Sequence, residues 1–282
     1  MKYIDFHVHA FDDKIAERAI AQLASTAGAT PAKKYHKGDN HMNSVPHTNG
    51  TVSDTVAKLE EWDIDNAVIL PIATKPAQQT IINNWASEVQ KTQEKLFCFG
   101  TVHPDAEDAL EELERIKSLG LHGIKLHPDY QNFFVEDEKL FPVYRKCEEL
   151  GLPITFHAGF DPLSPNLVHA TPQGFEKIIP LFPKLTFIIA HLGGMFQWDK
   201  FERTLAGKFE NVYIDTAVVA GHIPEEQFLS IVRKQGVDKV LFATDCPWDC
   251  PQNEINLIES VDLSEHEKEM IYHLNAEKLL NI

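Results

Sequence analysis

Cysteine is scarce in this chain of 282 residues: there are four, Cys98, Cys147, Cys246 and Cys250, and no two form a CxxC pair. Neither a disulfide framework nor a zinc knuckle is expected from them, and a reducing, cytoplasmic setting fits best. Basic residues are also in short supply. Lys and Arg number 26 against 42 Asp and Glu, a formal net charge of −16, so a nucleic-acid backbone is repelled at long range and is not an expected partner. No run of about 18 apolar residues occurs, and the opening MKYIDFHVHAF has neither a long apolar stretch nor a small-residue cleavage site. A membrane span and a secretory leader are therefore not expected. No GxGxxG or GxxxxGK[ST] follows any β-rich run, which argues against an open sheet that binds dinucleotides or nucleoside triphosphates.

What is present is a regular alternation. With 43% hydrophobic and 24% charged residues, the chain can bury a sizeable core without crosslinks. Short β-rich runs recur at Tyr3–His9, Ala67–Ile72, Phe97–His103, Gly123–His127, Pro153–His157, Thr186–His191, Val212–Ala217 and Val240–Asp245. Segments of helical spacing lie between them, the clearest at Asp105–Leu119, where Leu110, Leu113, Ile116 and Leu119 form one stripe and Gly120 follows as the stop. Eight parallel strand–helix units close into a (β/α)8 TIM barrel, and about 250 residues is the usual size of that fold, so a single α/β domain over 1–282 is expected. One segment interrupts the rhythm. Residues 25–52 are polar, rich in Gly, Pro and Asn, and carry His36, His41 and His47. They read as a long loop between the first strand and its helix, either a mobile excursion or a lid that selects substrate.

Side chains alternate along a strand, so Tyr3, Asp5, His7 and His9 share one face and Ile4, Phe6 and Val8 the other. The same parity places His103, Lys125, His127, Thr155, His157, His191, Asp215 and Asp245 inward near the C-terminal strand ends. Ile124, Leu126, Phe156, Ile188, Val240 and Phe242 face the helices. A single strand-end histidine is usually a hydrogen-bonded core residue. Imidazoles and carboxylates gathered at one barrel mouth, by contrast, are costly to bury unless paired or coordinated, and a divalent cation removes that cost. His7 and His9, separated by one residue, project in parallel and can grip the same ion. Neutral imidazole with carboxylate suits zinc best, with manganese or iron as alternatives.

The stretches IDFHVHAF, GIKLHP, ITFHAG, IIAHLGG and LFATDCPW, in that order over residues 4–248, resemble the amidohydrolase superfamily and, within it, amidohydrolase family 2. The resemblance implies one metal held by His7, His9, His157 and Asp245, with His191 meeting the bound water or the substrate, and Asp245 and His191 as the catalytic pair. Lys125 is the residue type that binuclear relatives carboxylate to bridge two metals. Its place two residues before His127 puts it a layer deeper, where a buried salt bridge to Asp5 or Asp215 is the simpler reading. Lys125, His127 and Asp215 are therefore candidates for substrate binding or for support of the ligands. Cys246 and Cys250 read as non-catalytic, and Trp198 and Trp248 as packing near the rim.

The leading expectation is a metal-dependent hydrolase that activates water to cleave a C–N or C–O bond of a small organic molecule, with Asp245 as proton acceptor. The alternative is a metal-dependent decarboxylase of an aromatic or semialdehyde carboxylic acid, an activity the same family contains. Its anionic substrates call for a cationic clamp. No strand-end Arg is visible, which leaves Lys33, Lys34, Lys37 or Arg203 for that task and ranks the decarboxylase second. A barrel that only binds is disfavoured because all five key side chains are present. The expected partner is a small-molecule substrate, with a homodimer as the assembly.

Overall fold

A computed structural model describes residues 1–29 and 45–282. Backbone packing divides them into two compact units, residues 1–68 with 215–282, and residues 69–214.

In the first unit the strand β1 (Ile4–Val8) is buried along its whole length. On one side the Tyr3 carbonyl accepts the Asp65 and Asn66 amides that lead into β2 (Asn66–Ile69). On the other, Phe6 N–H donates to the Phe242 carbonyl at 2.9 Å and Asp245 N–H to the His7 carbonyl at 2.8 Å. This is parallel pairing with the segment that begins as β8 (Val240–Leu241). The apolar side chains Ile4, Phe6 and Val8 are fully buried, as expected of a parallel strand covered on both faces. Tyr3, Phe242 and Tyr272 form an edge-packed aromatic group, with Tyr272 4.9 Å from Tyr3 and 5.6 Å from Phe242 between ring centroids.

The segment between β1 and β2 is more helical than its composition suggests. Residues Ala16–Ala29 form a helix that takes in positions 25–29 of the expected loop, because the run AERAIAQLASTAGA is rich in alanine, the best helix former. A second helix, Val52–Glu61, starts where Thr51 accepts the Asp54 amide at 3.2 Å, an N-cap bond. The polar stretch therefore lies between two helices. Its residues 30–44, with His36, His41, Lys33, Lys34 and Lys37, lie outside the described residues.

The second unit carries β3 (Leu96–Cys98), β4 (Ile124–Leu126), β5 (Ile154–Phe156), β6 (Phe187–Ile189) and the start of β7 (Val212–Asp215). From β4 to β7 the strands are parallel, with Lys125 beside Thr155, Thr155 beside Ile188 and Ile188 beside Tyr213. Side chains in one such row share a face. The row on either side contains Phe156 and Phe187, which meet Tyr144 of the helix Phe141–Leu150 at 5.8 and 6.5 Å. Lys125, Thr155 and Ile188 therefore face away from the helices. This corrects the expectation for Ile188, which strand parity counted back from His191 had placed toward the helices. The count fails because β6 ends at Ile189 and the chain then turns: His191 and Leu192 have φ of 59° and 56°. Asp245, with φ of 65°, likewise lies beyond β8 in a left-handed conformation. Two residues central to the motif thus owe their direction to turns.

Gly159 joins the loops after β5 and β6. Met195 N–H donates to the Ala158 carbonyl, and Phe160 N–H to the Met195 carbonyl, both at 2.9 Å. A Cβ on Gly159 would lie 2.1 Å from the Met195 nitrogen, and φ is +85°. Only glycine tolerates both conditions. Gly159→Ala is accordingly expected to cost about 2 kcal/mol or more in denaturant unfolding, above the ordinary cost of filling a strained position. Phe156→Ala, at a fully buried ring, is expected to lower stability by about 3–5 kcal/mol in the same measurement.

Candidate metal and acid–base site

In the first unit, β1 brings His7 to a carboxylate and a second imidazole. His7 Nδ1 lies 2.9 Å from Asp215 Oδ2, and both side chains are buried. Paired with a carboxylate, Nδ1 holds the proton and Nε2 presents its lone pair. That lone pair faces two further donors: His9 Nε2 at 3.2 Å and Asp245 Oδ1 at 3.4 Å. His9 Nε2 is itself 3.1 Å from Asp245 Oδ1. A proton on His9 can serve one neighbour at a time, whereas a cation serves all three. Donors each about 2.1 Å from a common ion, at tetrahedral or octahedral angles, lie about 3.0–3.4 Å apart, so the three residues fit a divalent metal. Asp245 reaches this position through its left-handed backbone, held by its amide bond to the His7 carbonyl.

Asp5 supports the same strand from below. Its carboxylate accepts the Thr244 hydroxyl at 2.6 Å, the Thr244 amide at 3.0 Å and the His7 amide at 3.2 Å. Full burial nevertheless pushes the Asp5 carboxyl up to about 7, against the lowering effect of the Thr244 bond. Cys246, next to Asp245, is buried; its thiol is pushed far up by burial, and its amide donates to the Thr244 hydroxyl at 2.9 Å.

The second unit gathers His127, His157 and His191 at the ends of β4, β5 and β6. His157 Nδ1 lies 3.0 Å from His191 Nε2. The His127 ring stacks on His157 at 4.2 Å and on Tyr130 at 3.7 Å. Two carboxylates that the sequence reading did not single out join them. Asp161 Oδ2 lies 3.6 Å from His127 Nε2 and 3.7 Å from His157 Nε2, and Asp129 Oδ2 lies 3.9 Å from His157 Nε2. The other Asp129 oxygen accepts from Ser164 and lies 2.8 Å from His169 Nδ1. Burial raises the Asp129 carboxyl, and its bonds with Ser164 and His169 oppose the rise. The signal for both acids was spacing: each follows a strand-end histidine closely, Asp129 in LHPD and Asp161 in FHAGFD, but Asp129 lies in the short helix Pro128–Gln131 and Asp161 on a loop, where strand parity does not apply. Trp198, read as packing, donates its indole N–H to the His191 carbonyl at 3.0 Å and so holds the left-handed turn. Lys125 is fully buried in the row of Thr155, and its carbonyl accepts the Thr101 hydroxyl at 3.0 Å. His103 is buried, its Nδ1 accepting the Asp105 amide at 3.2 Å, a structural role. Arg203 sits exposed on the helix Trp198–Thr204, a poor place for a substrate clamp.

No helix among the described residues is long and apolar enough to cross a membrane. The chain is similar to the 2-amino-3-carboxymuconate-6-semialdehyde decarboxylase of Dictyostelium discoideum, 29% identical over 285 residues, which cover 81% of this chain and 77% of that enzyme. It also resembles the dihydroorotase of Helicobacter pylori, 28% identical over 158 residues, but these cover 52% of this chain and 44% of that enzyme. Among solved structures, a 5-carboxyvanillate decarboxylase from Novosphingobium aromaticivorans, complexed with manganese and 4-hydroxy-3-methoxy-5-nitrobenzoic acid, matches with a TM-score of 0.69 at 17% identity, covering 100% of this chain and 96% of that one. Likeness at that identity establishes the fold, and the fold is the TIM barrel that the eight strands led us to expect. The sequence profile of the amidohydrolase family Amidohydro_2 matches residues 4–282, and the chain belongs to that family.

Proposed function

We propose that the protein is a metal-dependent decarboxylase acting on an aromatic or semialdehyde carboxylic acid. The observation that carries this reading is the similarity to a semialdehyde decarboxylase along four-fifths of the chain. It reverses the order argued from the missing strand-end arginine, because the dihydroorotase that supports hydrolysis of a cyclic amide matches only about half of the chain. His7, His9 and Asp245 supply the donors for one divalent ion, and manganese stands beside zinc as a candidate because the similar carboxyvanillate enzyme binds it. His157 is the fourth ligand that the family resemblance implies. Held by these residues, a divalent ion would supply Lewis-acid stabilisation of the negative charge that grows as carbon dioxide leaves.

The chain's own residues have three tasks. Asp215 fixes the tautomer of His7, so that Nε2 rather than Nδ1 faces the ion. His157 and His191, 3.0 Å apart, can hold one proton between them, and His191 delivers it. When the carbon–carbon bond breaks, its electron pair stays on the substrate carbon, carbon dioxide departs, and that carbon takes the proton. Asp161 and Asp129, 3.7 and 3.9 Å from His157 Nε2, orient that ring.

The purified chain, loaded with manganese or zinc, is expected to release carbon dioxide from carboxylated aromatic and semialdehyde acids. Ring opening of cyclic amides without carbon dioxide release would establish the hydrolase instead. Asp215→Asn is expected to weaken metal binding by about 10- to 100-fold, read as the Kd by competition with a chelating dye. His7→Ala, His157→Ala and Asp245→Ala should each lower the bound metal per chain in elemental analysis. Unchanged content in His157→Ala would remove that residue from the ligand set.

A further inference from the structure

The first unit holds a second convergence of metal-binding side chains, built from residues that the sequence reading set aside. His47, Asp249 and Cys250 each bring one donor atom within 4.8 Å of the other two. They come from two segments stitched together: His47 N–H donates to the Pro247 carbonyl at 2.8 Å. The Trp62 ring meets the His47 ring edge-on at 6.1 Å between centroids and limits its rotation. His47 Nε2 is shielded from solvent and has no hydrogen-bond partner among the described residues. A buried ring nitrogen left in that state costs free energy unless a ligand takes it up.

The acid is similarly prepared. Asp249 is buried, and one carboxylate oxygen is held by the Cys250 amide at 2.7 Å and the Asn253 side-chain amide at 2.5 Å. Those bonds fix the carboxylate while leaving its other oxygen for the cluster. No Lys or Arg ion pair with Asp249 occurs among the described residues. Cys250 is the half-buried one of the four cysteines, the other three being fully buried, and it immediately precedes the helix Pro251–Ser260 without capping it through its side chain. One imidazole, one carboxylate and one thiolate form a donor set suited to zinc. Zinc lies about 2.3 Å from sulfur and about 2.0–2.1 Å from nitrogen or oxygen, which sets such donors about 3.3–3.6 Å apart. Rotation of the side chains by about an ångström closes the difference.

We propose that His47, Asp249 and Cys250 form a second metal site, selective for zinc over manganese, that ties the segment around His47 to the loop following Asp245. The thiolate sets the selectivity: manganese prefers oxygen donors, whereas zinc accepts sulfur. On binding, the Cys250 S–H bond breaks, the proton leaves to solvent and the sulfur takes the metal. The site shares no ligand with the His7, His9 and Asp245 cluster, so it stands whether or not the decarboxylase reading does.

Cobalt titration of the metal-free full chain tests it, because only a thiolate ligand produces an intense sulfur-to-cobalt charge-transfer band in the near ultraviolet. Wild-type protein should show this band, His7→Ala should keep it, and Cys250→Ser should lose it. His47→Asn should weaken its appearance by roughly tenfold or more. No band at saturating cobalt, or a band that survives Cys250→Ser, would overturn the proposal. A second measurement needs no variant: zinc should slow alkylation of Cys250 in the native wild-type protein, followed by peptide mass spectrometry, by about tenfold, and manganese should not. An alkylation rate unaffected by zinc would overturn it as well.

Discussion

The buried strand β1 sets the main constraint on this molecule. Its two polar side chains, Asp5 and His7, with no water to solvate them, must find partners inside the protein. Asp5 finds Thr244 and the His7 amide, and His7 finds Asp215. With Nδ1 committed to Asp215, the His7 Nε2 lone pair is aimed at His9 and Asp245. The backbone bond from Asp245 to the His7 carbonyl fixes that spacing. Pairing of β1 with the chain after β8 and preparation of a cation site are therefore one structural event. Loss of either would leave buried lone pairs facing one another.

In the second unit the same economy is reached by different means. His127, His157 and His191 emerge from three adjacent strands and are held by stacking, by a short nitrogen–nitrogen approach and by two acids, Asp129 in a short helix and Asp161 on a loop. The left-handed turn at His191 and the glycine at 159 give this cluster its shape. Each bends the chain sharply just beyond a strand end, where a barrel places its chemistry. Stability lies deeper, in the packing of Phe156 and Phe187 against Tyr144 behind the strands.

The family accounts for a bound cation and for the histidine pattern, but it spans both hydrolysis and decarboxylation. Both chemistries need the same ion and a group that moves a proton. They differ in whether that proton comes from attacking water or goes to a carbon that has lost carbon dioxide. The residues of the candidate cation site are consequently poor discriminators, and extended similarity to a decarboxylase carries more weight than any single side chain. Substrate choice belongs to loops, which vary independently of the metal ligands.

Much of the fold and part of the site could be read from the residues alone. Strand period, helix stripes and the glycine stop at Gly120 sufficed for eight strand–helix units, because these are local properties of the chain. HxH in IDFHVHAF announced a shared ion for the same reason: a two-residue spacing on an extended strand leaves little freedom. Strand parity placed Asp215 on the face of His7, but only the tertiary structure pairs the two, across more than 200 positions of sequence. Parity misplaced Ile188, because it was counted through a left-handed turn at His191 that no local pattern announced. The end of the alanine-rich helix after β1, residues 25–29, fell inside a polar stretch whose composition suggested a loop. Asp129, Asp161 and the group of His47, Asp249 and Cys250 were decided by folding alone. Their members lie beyond the strand ends or are distant in sequence, so their meeting depends on how the backbone closes and not on any period.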